Sequence, residues 1–145
     1  MLLQNFPYLE TVIAGGAAYL LGWVWYHPKI LGTAWITARG KTVADIRPKV
    51  FFSVISFVLW MVASCFYSFL ILIMGLDNTA GLFCLSCLLW VAFAMPPTVM
   101  GAFYTGYPFN AVAIDSAYQL AGYYIFAVVH IGIGAVMSGH GSLVH

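Results

Sequence analysis

The sequence predicts an all-α integral membrane bundle of four transmembrane helices, with a basic, partly helical loop between the first and second. Three observations lead there. Hydrophobic residues make up 63% of the 145-residue chain and charged residues only 6%, against roughly 25% charge in soluble domains. So few polar groups could not cover a water-facing surface, and lipid is the expected solvent. Four apolar runs reach the about 20 residues that a helix rising ~1.5 Å per residue needs to cross the bilayer core. All five Lys and Arg residues fall in one segment between two of those runs. The length leaves room for a single transmembrane domain, 1–145, and no second unit.

The first span is expected at about 9–27, opened by Pro7 and closed by Pro28. The second covers about 50–75, and the third about 79–101 with the Pro96-Pro97 pair inside it. The fourth covers about 111–137. Between the first two spans, residues 28–49 carry Lys29, Arg39, Lys41, Arg47 and Lys49. Lys and Arg accumulate on the cytoplasmic side. That places this loop inside and both termini outside, in a plasma or bacterial inner membrane. The N-terminus has no basic stretch before its first apolar run and carries Glu10, so no cleaved signal peptide is expected. In the loop, Ile30, Leu31, Ala34, Trp35 and Ala38 recur at helical spacing. They suggest either a helix lying on the membrane surface or an anchoring loop with Trp35 at headgroup level.

Helix one carries Thr11, Ala14, Gly15, Ala18 and Gly22 on one face. Small residues let helix backbones approach closely in lipid, so Ala14, Gly15, Ala18 and Gly22 are expected to pack on a helix of the same chain or of a second copy. In helix three, Pro96 and Pro97 each lack a backbone donor, and Pro97 disfavours a helical Pro96. A kink or an early stop should follow, with freed carbonyls near Ala92 and Phe93.

Ionisable groups at membrane depth are the candidates for chemistry. Here they are Glu10, His27, Asp115 and His130, with Gln119 and Tyr118 along the same stripe of helix four. Asp115 and His27 should lie near one interface, and Glu10 and His130 near the other. Two carboxylate–imidazole pairs across helices one and four are therefore geometrically possible, and such a pair could relay protons. The competing reading is that residues near helix ends simply reach water and headgroups. Cys84 and Cys87 have redox-like spacing but sit in an apolar run, where they act as small hydrophobes. His140 and His145 belong to a polar tail. No nucleophile–base arrangement, phosphate-binding glycine loop or zinc spacing is present. No catalytic residue, metal site or cofactor is expected, and a net charge of +1 gives no reason to expect nucleic acid.

One pattern is more specific. Gly22-x-x-Trp25-Tyr26-x-Pro28, then Leu31-Gly32-x-x-Trp35 and Gly40, resembles the opening signature of domain-of-unknown-function family 1761. Asp115-x-x-Tyr118-Gln119-Leu120 resembles the start of that family's last helix. The resemblance implies a small four-span membrane protein, with Gly22, Trp25, Tyr26, Pro28, Gly32 and Trp35 as its patterned part, and it implies no activity. The leading expectation is a non-enzymatic multi-pass protein, a homo-oligomer or the partner of another membrane complex. The alternative is a small proton- or cation-coupled transporter or channel. A membrane enzyme or an apolar-ligand module using the 17% aromatic residues is a third reading.

Overall fold

The computed structural model describes residues 2–42 and 50–141. Arg47, Lys49 and His145 lie outside that range, as does the side chain of His140. Among the described residues the chain is entirely helical. A single 3-10 turn, Leu2–Asn5, leads into α1 (Tyr8–Trp25). A π-turn over Pro28–Gly32 runs into the short α2 (Thr33–Ala38). Next come α3 (Val50–Met74) and α4 (Thr79–Leu89), then a second π-turn at Trp90–Ala94. That turn continues into α5 (Met95–Thr105), and α6 (Phe109–Gly141) closes the chain.

Three helical stretches are long and apolar enough to cross a membrane: Val50–Met74, Thr79–Thr105 and Phe109–Met137. At ~1.5 Å per residue the shortest of these spans about 37 Å, more than the ~30 Å hydrocarbon core. Their outer surfaces carry bulky apolar side chains, among them Phe51, Leu59 and Phe66 of α3 and Phe93 and Phe103 of the third helix. Such a surface is suited to lipid and not to water. α1 is shorter, 18 residues, and carries Glu10 in its first turn.

α6 is the hub, touching α1, α2, α4 and α5, while α1 lies between α3 and α6. The buried residues of α1 are Thr11, Ala14, Gly15 and Ala18. A Cβ on Gly15 would stand 2.6 Å from Met61 Sδ and 3.2 Å from Met61 Cα in α3. One on Gly22 would stand 2.7 Å from the Tyr118 hydroxyl of α6. Close backbone approach is why this helix uses small residues on that side. The small face is occupied within the chain, so no second copy is needed to cover it. The core is completed by Tyr67, Leu85 and Phe126, with Trp60 and Tyr123 against it.

The third helix departs from expectation. Pro96 and Pro97 do not end it: the helix runs on to Thr105, four residues beyond the expected boundary. The π-turn at Trp90–Ala94 absorbs the disruption, with the Met95 N–H reaching back to the Trp90 carbonyl. Both prolines then occupy the first turn of α5, where a backbone donor is not required. Thr98 Oγ1 donates to the Ala94 carbonyl at 2.8 Å, the back-bond to residue i−4 that threonine makes inside helices. α5 stops at Gly106, whose φ of +66° is the left-handed cap that glycine takes without penalty.

Candidate functional site

The two patterned segments of the sequence meet in space. Trp25 and Tyr26 lie at the end of α1, where Tyr26 is the capping residue. The Tyr26 hydroxyl donates to Asp115 Oδ1 at 2.6 Å. The Trp25 indole N–H donates to the Ile114 carbonyl at 3.3 Å, one residue before Asp115. The Tyr26 ring packs edge-on to Tyr118 at 5.3 Å between centroids and to Trp35 at 5.2 Å. Gly22 faces the Tyr118 hydroxyl, which donates to the Ala18 carbonyl at 3.2 Å and accepts from the Trp60 indole at 2.7 Å.

The arm that follows α1 folds back onto this point. His27 Nδ1 accepts from the Lys29 N–H at 3.2 Å and starts the π-turn with Pro28 in its first turn. Gly32 is buried, and a Cβ there would collide with the Tyr26 carbonyl oxygen. Only glycine lets the arm pass so close to the end of α1. Trp35 of α2 then rests on Tyr26. Arg39, the capping residue of α2, places its guanidinium 4.4 Å from the Trp35 ring centroid and 5.4 Å from that of Tyr107. Tyr107 lies in the α5–α6 turn, and its hydroxyl donates to Asp115 Oδ2 at 3.0 Å. Tyr26, Asp115, Tyr107, Arg39 and Trp35 therefore form a closed ring of contacts joining α1, the arm, the α5–α6 turn and α6. Burial first, and then the Asp115 carboxylate, raises the Tyr107 hydroxyl above the ordinary tyrosine range.

This geometry corrects the expected pairing of Asp115 with His27. Counting residues fixed their depth along the helices but not their direction around them. Asp115 is taken by two tyrosines instead, and His27 is exposed at the start of the arm. Tyr107 carries no motif in the sequence that marks it as a partner of Asp115. Its only signal was position, in a Gly106-Tyr107-Pro108 turn eight residues before a carboxylate that needs donors.

A second polar cluster lies at the other end of α1. His130 Nε2 is 3.0 Å from Ser68 Oγ, and Nδ1 is 2.8 Å from the Phe126 carbonyl. Because the carbonyl can only accept, Nδ1 carries the proton, and Nε2 accepts from Ser68. Ser68 Oγ also lies 2.7 Å from Thr11 Oγ1, whose single proton is shared between Ser68 and the Pro7 carbonyl, likewise at 2.7 Å. Ser64 Oγ donates to the Thr11 carbonyl at 2.8 Å. His130 is thus fully bonded by hydroxyls and backbone. Glu10 sits near it without bonding it, so the expected Glu10–His130 pair is not formed. Tyr67 adds a third link by donating to the Leu82 carbonyl at 2.8 Å, which ties α3 to α4. Gln119 exchanges only long contacts with Thr98, at 3.3 and 3.4 Å. Cys84 and Cys87 are free thiols, and Cys87 Sγ lies 3.0 Å from the Tyr124 hydroxyl. Among the described residues no group of three or more His, Cys, Asp or Glu is placed to hold a metal ion.

The fold and this site define a small helical membrane protein whose buried polar groups tie its segments together. A family model described as a protein of unknown function (DUF1761) matches residues 9–131, which covers both patterned segments. The chain belongs to that family. No curated protein and no solved structure matches it.

Proposed function

We propose that the protein is a non-enzymatic, four-span membrane protein that acts as a rigid structural unit, as an oligomer or as the partner of another membrane complex. In this reading α1 also crosses the membrane, as the first of four spans, the arm over residues 28–49 is cytoplasmic, and both termini face outside. The excess of basic residues in that arm supports the orientation. The observation that carries the reading is the ring around Asp115. A carboxylate at a helix end is held by two tyrosine hydroxyls from separate segments, 2.6 and 3.0 Å away. Each such bond fixes one segment against α6, and the two tyrosines so held are the ones that Trp35 and Arg39 of the arm rest on. His130, toward the opposite end, is tied to α3 through Ser68 and to its own helix through the Phe126 carbonyl. Groups saturated by their own chain suit a scaffold better than a pathway that must exchange protons or ions. An oligomeric contact would use faces other than the small side of α1, such as the apolar groove of about 510 Å³ between Leu9 and Ile13 of α1 and Gly132 and Val136 of α6.

Limited trypsin digestion tests the clamp, because Arg39 and Lys41 are cleavage sites on the arm. Asp115→Ala should speed cleavage there severalfold while the helical content of the bundle persists. Unchanged cleavage would mean that the ring does not hold the arm. Labelling of single cysteines at Lys41 and Gln4 with a membrane-impermeant thiol reagent, in cells and in inverted vesicles, tests the topology. The two positions should be labelled from opposite sides.

A second reading, proton- or cation-coupled transport, is favoured by the hydroxyl line Thr11–Ser68–His130 leading from the first turn of α1. It would require His130 to exchange its bond to the Phe126 carbonyl for a new acceptor.

A further inference from the structure

We propose that Arg39 is the receptor for a phosphate group at the membrane face of the arm, the phosphodiester of an anionic phospholipid headgroup being the natural source. The inference rests on the membrane placement above and adds to it a ligand class and a residue.

The guanidinium is held in an unusual way for a surface arginine. Its guanidinium carbon stands over two rings, Trp35 at 4.4 Å from the same helix and Tyr107 at 5.4 Å from the α5–α6 turn. Ring stacking engages the plane of a guanidinium and leaves its in-plane N–H edge available. Among the described residues that edge finds no carboxylate. Asp115, across the ring of contacts, has each oxygen bonded to a tyrosine hydroxyl. Among the described residues the result is a half-buried cation that no carboxylate pairs. Its planar fork matches two oxygens of a phosphate.

The surroundings agree in sign and in depth. Lys29 and Lys41 are exposed on the same arm. Trp25, Tyr26, Trp35 and Tyr107 gather four amphipathic rings at one end of the bundle, as expected at the headgroup level of a bilayer. The Asp115 ring gives the receptor its rigidity: Tyr107 is held in place by Asp115, and Trp35 by Tyr26. A bare lysine cluster would attract anionic lipid without selecting a geometry. Arg39 between two fixed rings selects one.

The test uses the full chain in neutral detergent, so that binding does not depend on topology. Short-chain phosphatidylglycerol, short-chain phosphatidylcholine and inorganic phosphate are titrated separately, and bound ligand is read by native mass spectrometry and calorimetry. Arg39→Gln should weaken phosphatidylglycerol binding about tenfold, the scale of one charge-assisted pair at a partly exposed site. Arg39→Lys should recover only part of it, because the charge returns without the fork. Trp35→Leu, which keeps Arg39 but removes one wall, should also weaken binding, whereas Lys41→Gln should change it less than twofold. Thermal midpoints within a few degrees of wild type certify that the variants are folded. Arg39-dependent binding of lipid alone assigns the headgroup as the source. Arg39-dependent binding of inorganic phosphate as well assigns the same site to phosphate in general. Binding unaffected by Arg39→Gln, or none of the three probes bound by wild type, overturns the proposal. A failure of the thiol-labelling topology would leave this result standing, so the two claims fail separately.

Discussion

Gly122→Ala tests the packing that positions Tyr118 and, through it, the Asp115 ring. Gly122 is buried on α6, and a Cβ there would meet the six-membered ring of Trp60, at 2.6 Å from Cζ3 and 2.8 Å from Cζ2, with Cη2 closer still. Carbon atoms sit comfortably at ~3.5–4.0 Å, so the indole must retreat by about 1 Å or more. It cannot do so alone. Its N–H donates to the Tyr118 hydroxyl at 2.7 Å, and its ring packs at 5.6 Å on Phe126. Overpacking of a tight site costs about 1–3 kcal/mol, and loss of a buried hydrogen bond in a membrane bundle about 0.6–1.7 kcal/mol. Against this, Ala is preferred over Gly inside a helix by roughly 0.5–1 kcal/mol. The net expectation is a loss of about 2 kcal/mol. Gly16→Ala is the matched control, since a Cβ at Gly16 meets nothing within 4 Å; it should gain the helical preference alone. Unfolding in mixed micelles of increasing dodecyl sulfate, followed by circular dichroism, should separate the two variants by roughly 2–3 kcal/mol on these terms. Equal midpoints would refute the placement of Trp60 against α6.

Other consequences concern the site directly. Tyr26→Phe and Tyr107→Phe should each cost about 1 kcal/mol in wild type and close to nothing in an Asp115→Ala background; a double-mutant cycle in the same unfolding assay checks this. Gly32→Ala should push the arm off the Tyr26 carbonyl, visible as faster trypsin cleavage at Arg39 and Lys41. Tyr107 has a raised folded-state value, so its neutral form is favoured by folding; that contribution is present below the ordinary value of 10.0 and fades as pH climbs through the folded value. Stability should therefore fall in alkaline solution, and Tyr107→Phe should flatten the fall. Ser68→Ala removes the donor to His130 Nε2, and the ring-nitrogen resonances should report the change at Nε2 while Nδ1 keeps its proton.

The parts of this fold that were legible in the sequence are those fixed by period and bulk. Thr11, Ala14, Gly15 and Ala18 stand out because only small side chains allow close helix approach, and they are the buried residues of α1. The apolar runs mark the helices because lipid tolerates nothing else over that length, and three of them meet the length and hydropathy needed to span. The proline pair was visible as a disruption, but its resolution was not. A π-turn before Pro96 depends on how the preceding carbonyls are shared, which residue identity does not encode. Asp115 was recognisable as a candidate from its cost in an apolar helix. Its partners were not, because Tyr26 and Tyr107 approach from segments whose rotation about their axes no periodicity specifies. Arg39 was read as one of five basic residues; its special setting comes from Tyr107, across the fold.

In the proposed function the polar groups Asp115 and His130 hold the structure together and carry no flux. Proton and cation flux into liposomes reconstituted with wild type and with Asp115→Asn tests it most directly, under pH and ion gradients of both directions. Flux no greater than in empty vesicles is expected for both proteins. Flux well above that background in wild type, abolished by Asp115→Asn in a protein that remains folded, would contradict it and make Asp115 part of a transport path.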